Sequence, residues 1–481
     1  MTDLDLANEV LADVKNNKTE NATRKIKDLI EKEANLKDKW GAISRLAITI
    51  GEIELSLISA NNYLKCAPKE PLRLIQVAGI FAEAGKLEDA INIVKPLIPQ
   101  TNSLQLYHFL GTVYSQLGEN EQAKVYLNKA IEMSPKTGIT WLTLASIHQF
   151  TSDDPKFKEL QSIESNFTDS HAQHGIPYWF ALGKALIDTK NYSSAFSKLV
   201  IGANLIKKQN GYNASKDSAF VDSIISHQTA DYLNNIVENK QQSEMAPIFV
   251  MGLPRSGTTL LQQILTSHSQ VDAGGEFRGF GLATLGYSLE NLHNISKLET
   301  VEQNQCLTDI YDKYCHYSNQ RFGENTLIVD KTLNLNRNLG LISKVFPKSP
   351  IIKINRNPSD TAWSCYRTLF NEGSGWSYDL ENIAHFFNLE NKLFSHWNEL
   401  FGDRILEIDY EDLVSKPEET ISKCLQHCGL DFEEKTLNFY QSKHPVLTAS
   451  VGQVRKPFNT DSIGASENLS KLLKPFTSNY K

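Results

Sequence analysis

The chain has 481 residues, 41% of them apolar and 22% charged, and a formal net charge of −7. Such a balance describes a soluble globular protein with room for two to four domains, each with a full core. The negative balance argues against a general nucleic-acid binder. No stretch approaches the ~18 consecutive apolar residues of a membrane span. The acidic opening MTDLDLANEV lacks the apolar centre of a signal peptide. The six cysteines, Cys66, Cys306, Cys315, Cys365, Cys424 and Cys428, show no dense pairing pattern. Together these features point to a reducing, cytoplasmic setting. Cys424, His427 and Cys428 lie close in sequence, but no second ligand pair accompanies them, so no metal site is expected.

The first two hundred residues repeat. Tyr107, Leu110, Gly111, Tyr114, Ala123, Leu127, Ala130 and Pro135 fall at the packing positions of a tetratricopeptide repeat beginning near Leu104. This is a helix–turn–helix unit of ~34 residues. The same frame recurs upstream at Leu74, Ala78, Gly85 and Ala90, and again at Trp40, Gly51 and Pro68. Downstream it returns at Trp141 and Ala145, with an irregular second half near Asp153-Asp154-Pro155, and at Trp179, Gly183 and Ala195. Five or six such units predict a solenoid over residues 1–208, a fold that commonly engages polypeptides on its concave face. Residues 209–245 are more polar and read as a linker, with one bridging helix from Phe220 to Ile236.

A different pattern begins at residue 246. Ile248–Met251 is an apolar run suited to a buried parallel strand, Gly252 to Gly257 is a loop, and from Thr258 apolar residues recur at helical spacing. Strand, Gly-containing loop and helix N-terminus hold phosphates on backbone N–H groups. The glycine spacing is that of an NTPase loop, yet Thr258 stands where the lysine belongs. Further strands are expected at Leu327–Val329, Ile351–Ile354 and Ile405–Ile408, with helices between them at Asn338–Phe346 and Ser359–Phe370. That alternation predicts an α/β domain over 246–481 with a parallel sheet. Ligands bind at the carboxyl ends of such strands, where Arg255, Lys331 and Arg356 fall.

The segments PIFVMGLPRSGTT, VDKT (329–332) and INRNPSDTAWSCY (354–366), in that order, resemble the sulfotransferases that use 3′-phosphoadenosine 5′-phosphosulfate (PAPS). The whole arrangement is similar to the bacterial tetratricopeptide-repeat sulfotransferases and, through them, to the tyrosylprotein sulfotransferases. This resemblance implies a P-loop-like fold and a metal-free reaction with PAPS as co-substrate. It assigns Arg255, Ser256, Gly257, Thr258 and Thr259 to the 5′-phosphosulfate, and Arg356 and Ser364 to the 3′-phosphate. Glu276 would be the catalytic base and Lys331 the cation facing the leaving oxygen. Ser450 would lie near the transferred group, Lys456 near the nucleotide, and Arg278 near an acidic acceptor peptide. Gly274-Gly275 would let the backbone pass close to the donor. Asn357 replaces the family's usual Asp, and Ser462 to Lys471 departs from the family pattern.

A protein tyrosine is the leading acceptor, with the repeats as a route for the partner polypeptide. A carbohydrate or small-molecule alcohol stays open as acceptor, and so does oligomeric state. A P-loop kinase or NTPase is disfavoured by Thr258, and a non-catalytic repeat scaffold by the joint presence of Glu276 and Lys331.

Overall fold

The computed structural model describes residues 2–167, 172–209, 211–239, 246–324, 327–370, 373–442 and 454–481. The N-terminal half, among the described residues, is a stack of twelve α-helices, most of them in packed consecutive pairs. They are α1 (Asp3–Lys15) with α2 (Thr19–Glu31), α3 (Trp40–Thr49) with α4 (Ile53–Cys66), and α5 (Pro71–Glu83) with α6 (Leu87–Val94). Next come α7 (Leu104–Leu117) with α8 (Asn120–Met133), then α9 (Gly138–Ile147) and the short α10 (Pro155–Ser162), and α11 (Ala172–Asp188) with α12 (Tyr192–Gln209); α9 packs on α11 rather than on α10. The repeat pattern has a direct packing cause. A Cβ at Gly111 on α7 would lie 2.5 Å from Leu127 on α8, so only glycine lets these helices cross so closely. Trp141 and Trp179 are buried, as their packing positions require. The irregular fifth unit has a shortened second helix, which starts late because Asp154 caps it through Lys156 N (2.8 Å) and Pro155 takes its first turn.

After the repeats, α13 (Ala214–His227) and α14 (Ala230–Asn234) replace the single helix expected over Phe220–Ile236. The break comes at Thr229, whose hydroxyl accepts from Tyr232 N and starts a new helix. This stretch is packed against the C-terminal half. Arg337 binds Asp217 on α13 at 2.6 Å and the buried Glu390 at 2.7 Å.

The C-terminal half is a five-stranded, all-parallel sheet in the order β2-β3-β1-β4-β5. In chain order it comprises β1 (Ile248–Met251), α15 (Thr258–Leu265), β2 (Ala273–Gly275), α16 (Gly279–Ala283), α17 (Leu289–His293) and α18 (Thr300–Phe322). It continues with β3 (Ile328–Asp330), α19 (Leu339–Val345), β4 (Ile351–Asn355), α20 (Pro358–Tyr366), α21 (Leu380–Phe401) and β5 (Ile405–Asp409). The edge strand β2 was not expected, because Ala-Gly-Gly carries no apolar signature. It includes Gly274. A Cβ there would lie 2.8 Å from the carbonyl of Val329, so the glycine is required by the pairing of β2 with β3. Helix α20 ends at Tyr366, four residues before the expected Phe370.

The two halves meet at both ends of the solenoid. At the C-terminal end, Phe180 and Phe196 share a core with Trp363, Tyr366, Trp376 and Phe387, and the Phe196 ring stacks on Tyr366 at 5.4 Å. At the N-terminal end, the buried carboxylate of Glu52 meets His316 (3.1 Å) and Gln320 (3.1 Å) on α18, and Glu20 meets Lys313 (2.7 Å). No helix among the described residues is long and apolar enough to cross a membrane.

Candidate active site

The polar residues singled out in sequence gather at the carboxyl ends of the central strands. The loop after β1 turns sharply: Arg255 has φ +70° and Gly257 φ +109°. At Gly257 a Cβ would lie 2.6 Å from the ring of Tyr410, so this position needs glycine for its backbone angle and for space. The turn delivers buried Ser256, Thr258 and Thr259 to the start of α15, where the positive end of the helix dipole favours an anion.

Arg255, Ser364 and Arg356 form one cluster. Arg255 Nε donates to Ser364 Oγ at 3.1 Å, and Arg356 donates to the Arg255 carbonyl at 3.0 Å. The Arg356 guanidinium lies 4.6 Å from the centroid of the Tyr410 ring, a cation–π arrangement. Burial, together with neighbouring Arg367 and Arg356, pushes the Arg255 pKa down to about 10. Arg367, half-buried just beyond α20, is likewise pushed down by burial first and by Arg356 second. Sequence reading passed over Arg367, although it lies three residues after Ser364 and hence on the same helical face. Cations crowded in this way repel one another until an anion compensates them.

Two buried donors fit the same picture. Among the described residues, Ser256 Oγ and Arg356 Nε have no hydrogen-bond partner. Unpaired buried donors are costly, and each would be satisfied by an anionic oxygen. The residues present therefore fit a ligand with several phosphate-like groups.

The neighbouring strands supply a second constellation. Lys331 N donates to the Gly275 carbonyl at 3.1 Å, carrying the β2–β3 ladder one step past the strand ends. Lys331 and Glu276 therefore emerge side by side, and their side chains form an ion pair. The Lys331 side chain is 2% exposed and that of Glu276 36%. Burial pushes the Lys331 pKa down, while Glu276 opposes that shift. The pair thus joins a sheltered ammonium to a carboxylate open on one side.

Of the remaining predicted residues, Arg278 adjoins this centre. Arg278 is exposed, sits at φ +58°, and donates its N–H to Thr332 Oγ1 at 3.3 Å. Lys456 is exposed on the segment that returns toward the site. Ser450 lies outside the described residues. Asn357 caps α20, its Oδ1 accepting from Ser359 N (3.0 Å) and Asp360 N (3.1 Å), as the Asp it replaces would. The divergent stretch near Gly464 is tied down: the buried Asp360 carboxylate accepts from Gly464 N and Ser466 N, both at 2.8 Å. Arg356 also donates to the Ser462 carbonyl at 2.6 Å. No group of three or more His, Cys, Asp or Glu suited to a metal occurs among the described residues.

A parallel α/β sheet with a phosphate-type loop, an arginine cluster and an adjacent Lys–Glu pair is a domain of the P-loop-like class. Residues 247–434 match the sulfotransferase family model and residues 104–137 the tetratricopeptide repeat model. The matched C-terminal segment is thus similar to the sulfotransferase family. An uncharacterized protein of Aquifex aeolicus (strain VF5) is 30% identical over 374 residues, covering 76% of this chain and 48% of that one. Protein-tyrosine sulfotransferase 2 of Gallus gallus is 24% identical over 248 residues, covering 48% of this chain and 65% of that one. The chain thus spans about half the length of the Aquifex relative. Among solved structures, the sulfotransferase domain of the Synechococcus PCC 7002 olefin synthase is similar at 21% identity and a TM-score of 0.32. That match covers 49% of this chain and 98% of the other.

Proposed function

We propose that this chain transfers the sulfuryl group of PAPS to an acceptor hydroxyl, with a protein tyrosine as the leading acceptor. The observation that carries the reading is the Lys331–Glu276 pair standing beside a phosphate-type loop that lacks the NTPase lysine. PAPS supplies an activated sulfuryl group that needs no metal. Ser256, Thr258, Thr259 and the N–H groups from Arg255 to Thr259 hold its 5′ end, and Arg356 and Ser364 hold the 3′-phosphate. Glu276 takes the proton of the acceptor hydroxyl as its oxygen bonds to sulfur. Lys331 meets the negative charge left on the 5′-phosphate oxygen as the bond from that oxygen to sulfur breaks. Ser450 and Lys456 complete the site on this reading, and Arg278 faces an acidic acceptor.

The division into a solenoid (1–208), a bridge (209–245) and a transferase domain (246–481) gives the repeats the task of engaging the acceptor polypeptide. The 24% identity to an enzyme named protein-tyrosine sulfotransferase supports the choice of tyrosine. All six cysteines are free, in keeping with a cytoplasmic setting.

The test is thermal. Adenosine 3′,5′-bisphosphate, without metal, is expected to raise the melting temperature. At ~100 times its Kd it adds about 2.7 kcal/mol, and ATP with Mg²⁺ adds less. The opposite order would assign the loop to an NTPase. Mass spectrometry of candidate peptides and glycans incubated with enzyme and PAPS then identifies the acceptor by the gain of one SO₃.

A further inference from the structure

Asp330 ends β3 and is wholly buried, at 0% exposure. It lies one residue before Lys331, and its carboxylate bonds to groups other than the ion pair. One oxygen accepts from Thr332 N (3.0 Å) and Thr332 Oγ1 (2.7 Å), and the other accepts from Tyr314 OH (3.1 Å) on α18. The Thr332 hydroxyl in turn accepts from Arg278 N at 3.3 Å. Lys331 is therefore bracketed by two residues clamped to each other. Glu276 is bracketed too, by Gly275, paired with Asp330 in the sheet, and by Arg278, tied to Thr332.

A carboxylate is an unfavourable choice for a core position unless its oxygens do something an apolar side chain cannot. Here it joins two loops and a helix at one point. We propose that Asp330 is a positioning residue: through Thr332, and anchored on Tyr314, it fixes Lys331 and Glu276 relative to each other. This rests on the sulfuryl-transfer reading for the use made of the pair, but not for the geometry. Reacting groups must be held to a fraction of an ångström, and a displacement of about 1 Å costs on the order of 10²-fold in rate. The buried Asp330 cannot itself touch an acceptor, so its effect must pass through its neighbours.

Two readouts on the full chain test the proposal. Biosynthetic ¹³C,¹⁵N-lysine labels the lysine side chains without reaction at the buried amine, and Lys331→Arg identifies the Lys331 resonance. In the unsubstituted protein it is expected to titrate below the ordinary lysine range. Thr332→Val and Asp330→Asn should shift that midpoint or broaden the signal, and Thr332→Ser, which keeps the hydroxyl, should restore it. With PAPS and acceptor, kcat should fall roughly 10–100-fold in Thr332→Val, while affinity for adenosine 3′,5′-bisphosphate stays within about twofold. A folded Thr332→Val protein with an unmoved Lys331 resonance and unchanged kcat overturns the proposal. If Asp330→Asn fails to fold, the Thr332 pair decides alone. Failure of the unsubstituted chain to bind adenosine 3′,5′-bisphosphate would sink the sulfuryl-transfer reading instead, and the Lys331 resonance would still judge the positioning role.

Discussion

Ser256 has a buried hydroxyl with no partner of its own among the described residues. Ser256→Ala should therefore leave the melting temperature unchanged or slightly higher, because removing an unsatisfied buried group is close to neutral. The same change should weaken adenosine 3′,5′-bisphosphate binding about tenfold, or ~1.4 kcal/mol, as read by calorimetry. Stability and affinity moving apart distinguishes a ligand-holding group from a packing one. Lys331→Ala and Glu276→Ala should each lower turnover by roughly 10²–10³ in steady-state assays with the fold intact. A pH profile adds the sign. Lys331 must be charged, burial lowers its pKa, and so the rate should fall on the alkaline side before the ordinary lysine range is reached. At this scale the sequence was informative wherever a residue's type and its distance from a strand end were both distinctive, as for Arg255, Lys331 and Arg356. Asp330 and Tyr314 escaped notice because their roles arise from a contact between distant segments that no local spacing records.

At the scale of elements, the repeats were legible because their small residues answer to a local requirement, the close crossing of two helices adjacent in sequence. Gly111→Val should cost about 1–3 kcal/mol in urea unfolding, since its side chain would overlap Leu127. Strand β2 was not legible, because three small residues become a strand only through the β3 edge offered by residues more than fifty positions away. The clasp between α4 and α18 also joins distant segments, and it titrates. A hydrogen bond from His316 comes second only to burial in setting the Glu52 pKa, and the net direction is down. The bond to Glu52 raises the His316 pKa. The Glu52 contribution is present above its unfolded pKa and fades as pH falls through the lowered value. The His316 contribution is complete below its unfolded pKa, near 6.5, and fades as pH rises through the raised value. The melting temperature of His316→Ala should therefore lie furthest below that of the unsubstituted chain in mildly acidic buffer, and the two should converge in alkaline buffer.

At the scale of the whole molecule, the last repeat and helix α20 of the sheet domain share one hydrophobic core. Phe196 stacks on Tyr366, and Ser364 lies in the same helix. Phe196→Ala, at a partly buried position, should cost about 1–3 kcal/mol, and repeats and sheet should lose their structure in one calorimetric transition. Two separate transitions would mean that the solenoid is only a tether. The site draws on an equally wide span of chain, from the loop after β1 to the stretch that Asp360 captures at Gly464 and Ser466. The Arg356 guanidinium is held partly by the Ser462 carbonyl, more than a hundred residues downstream. A polypeptide still under synthesis thus lacks one wall of its own site until Ser466 has left the ribosome. Nascent chains stalled before that point should not be retained on immobilised adenosine 3′,5′-bisphosphate, whereas chains released beyond it should be. The site would then be completed late in translation, after the repeats have already left the ribosome.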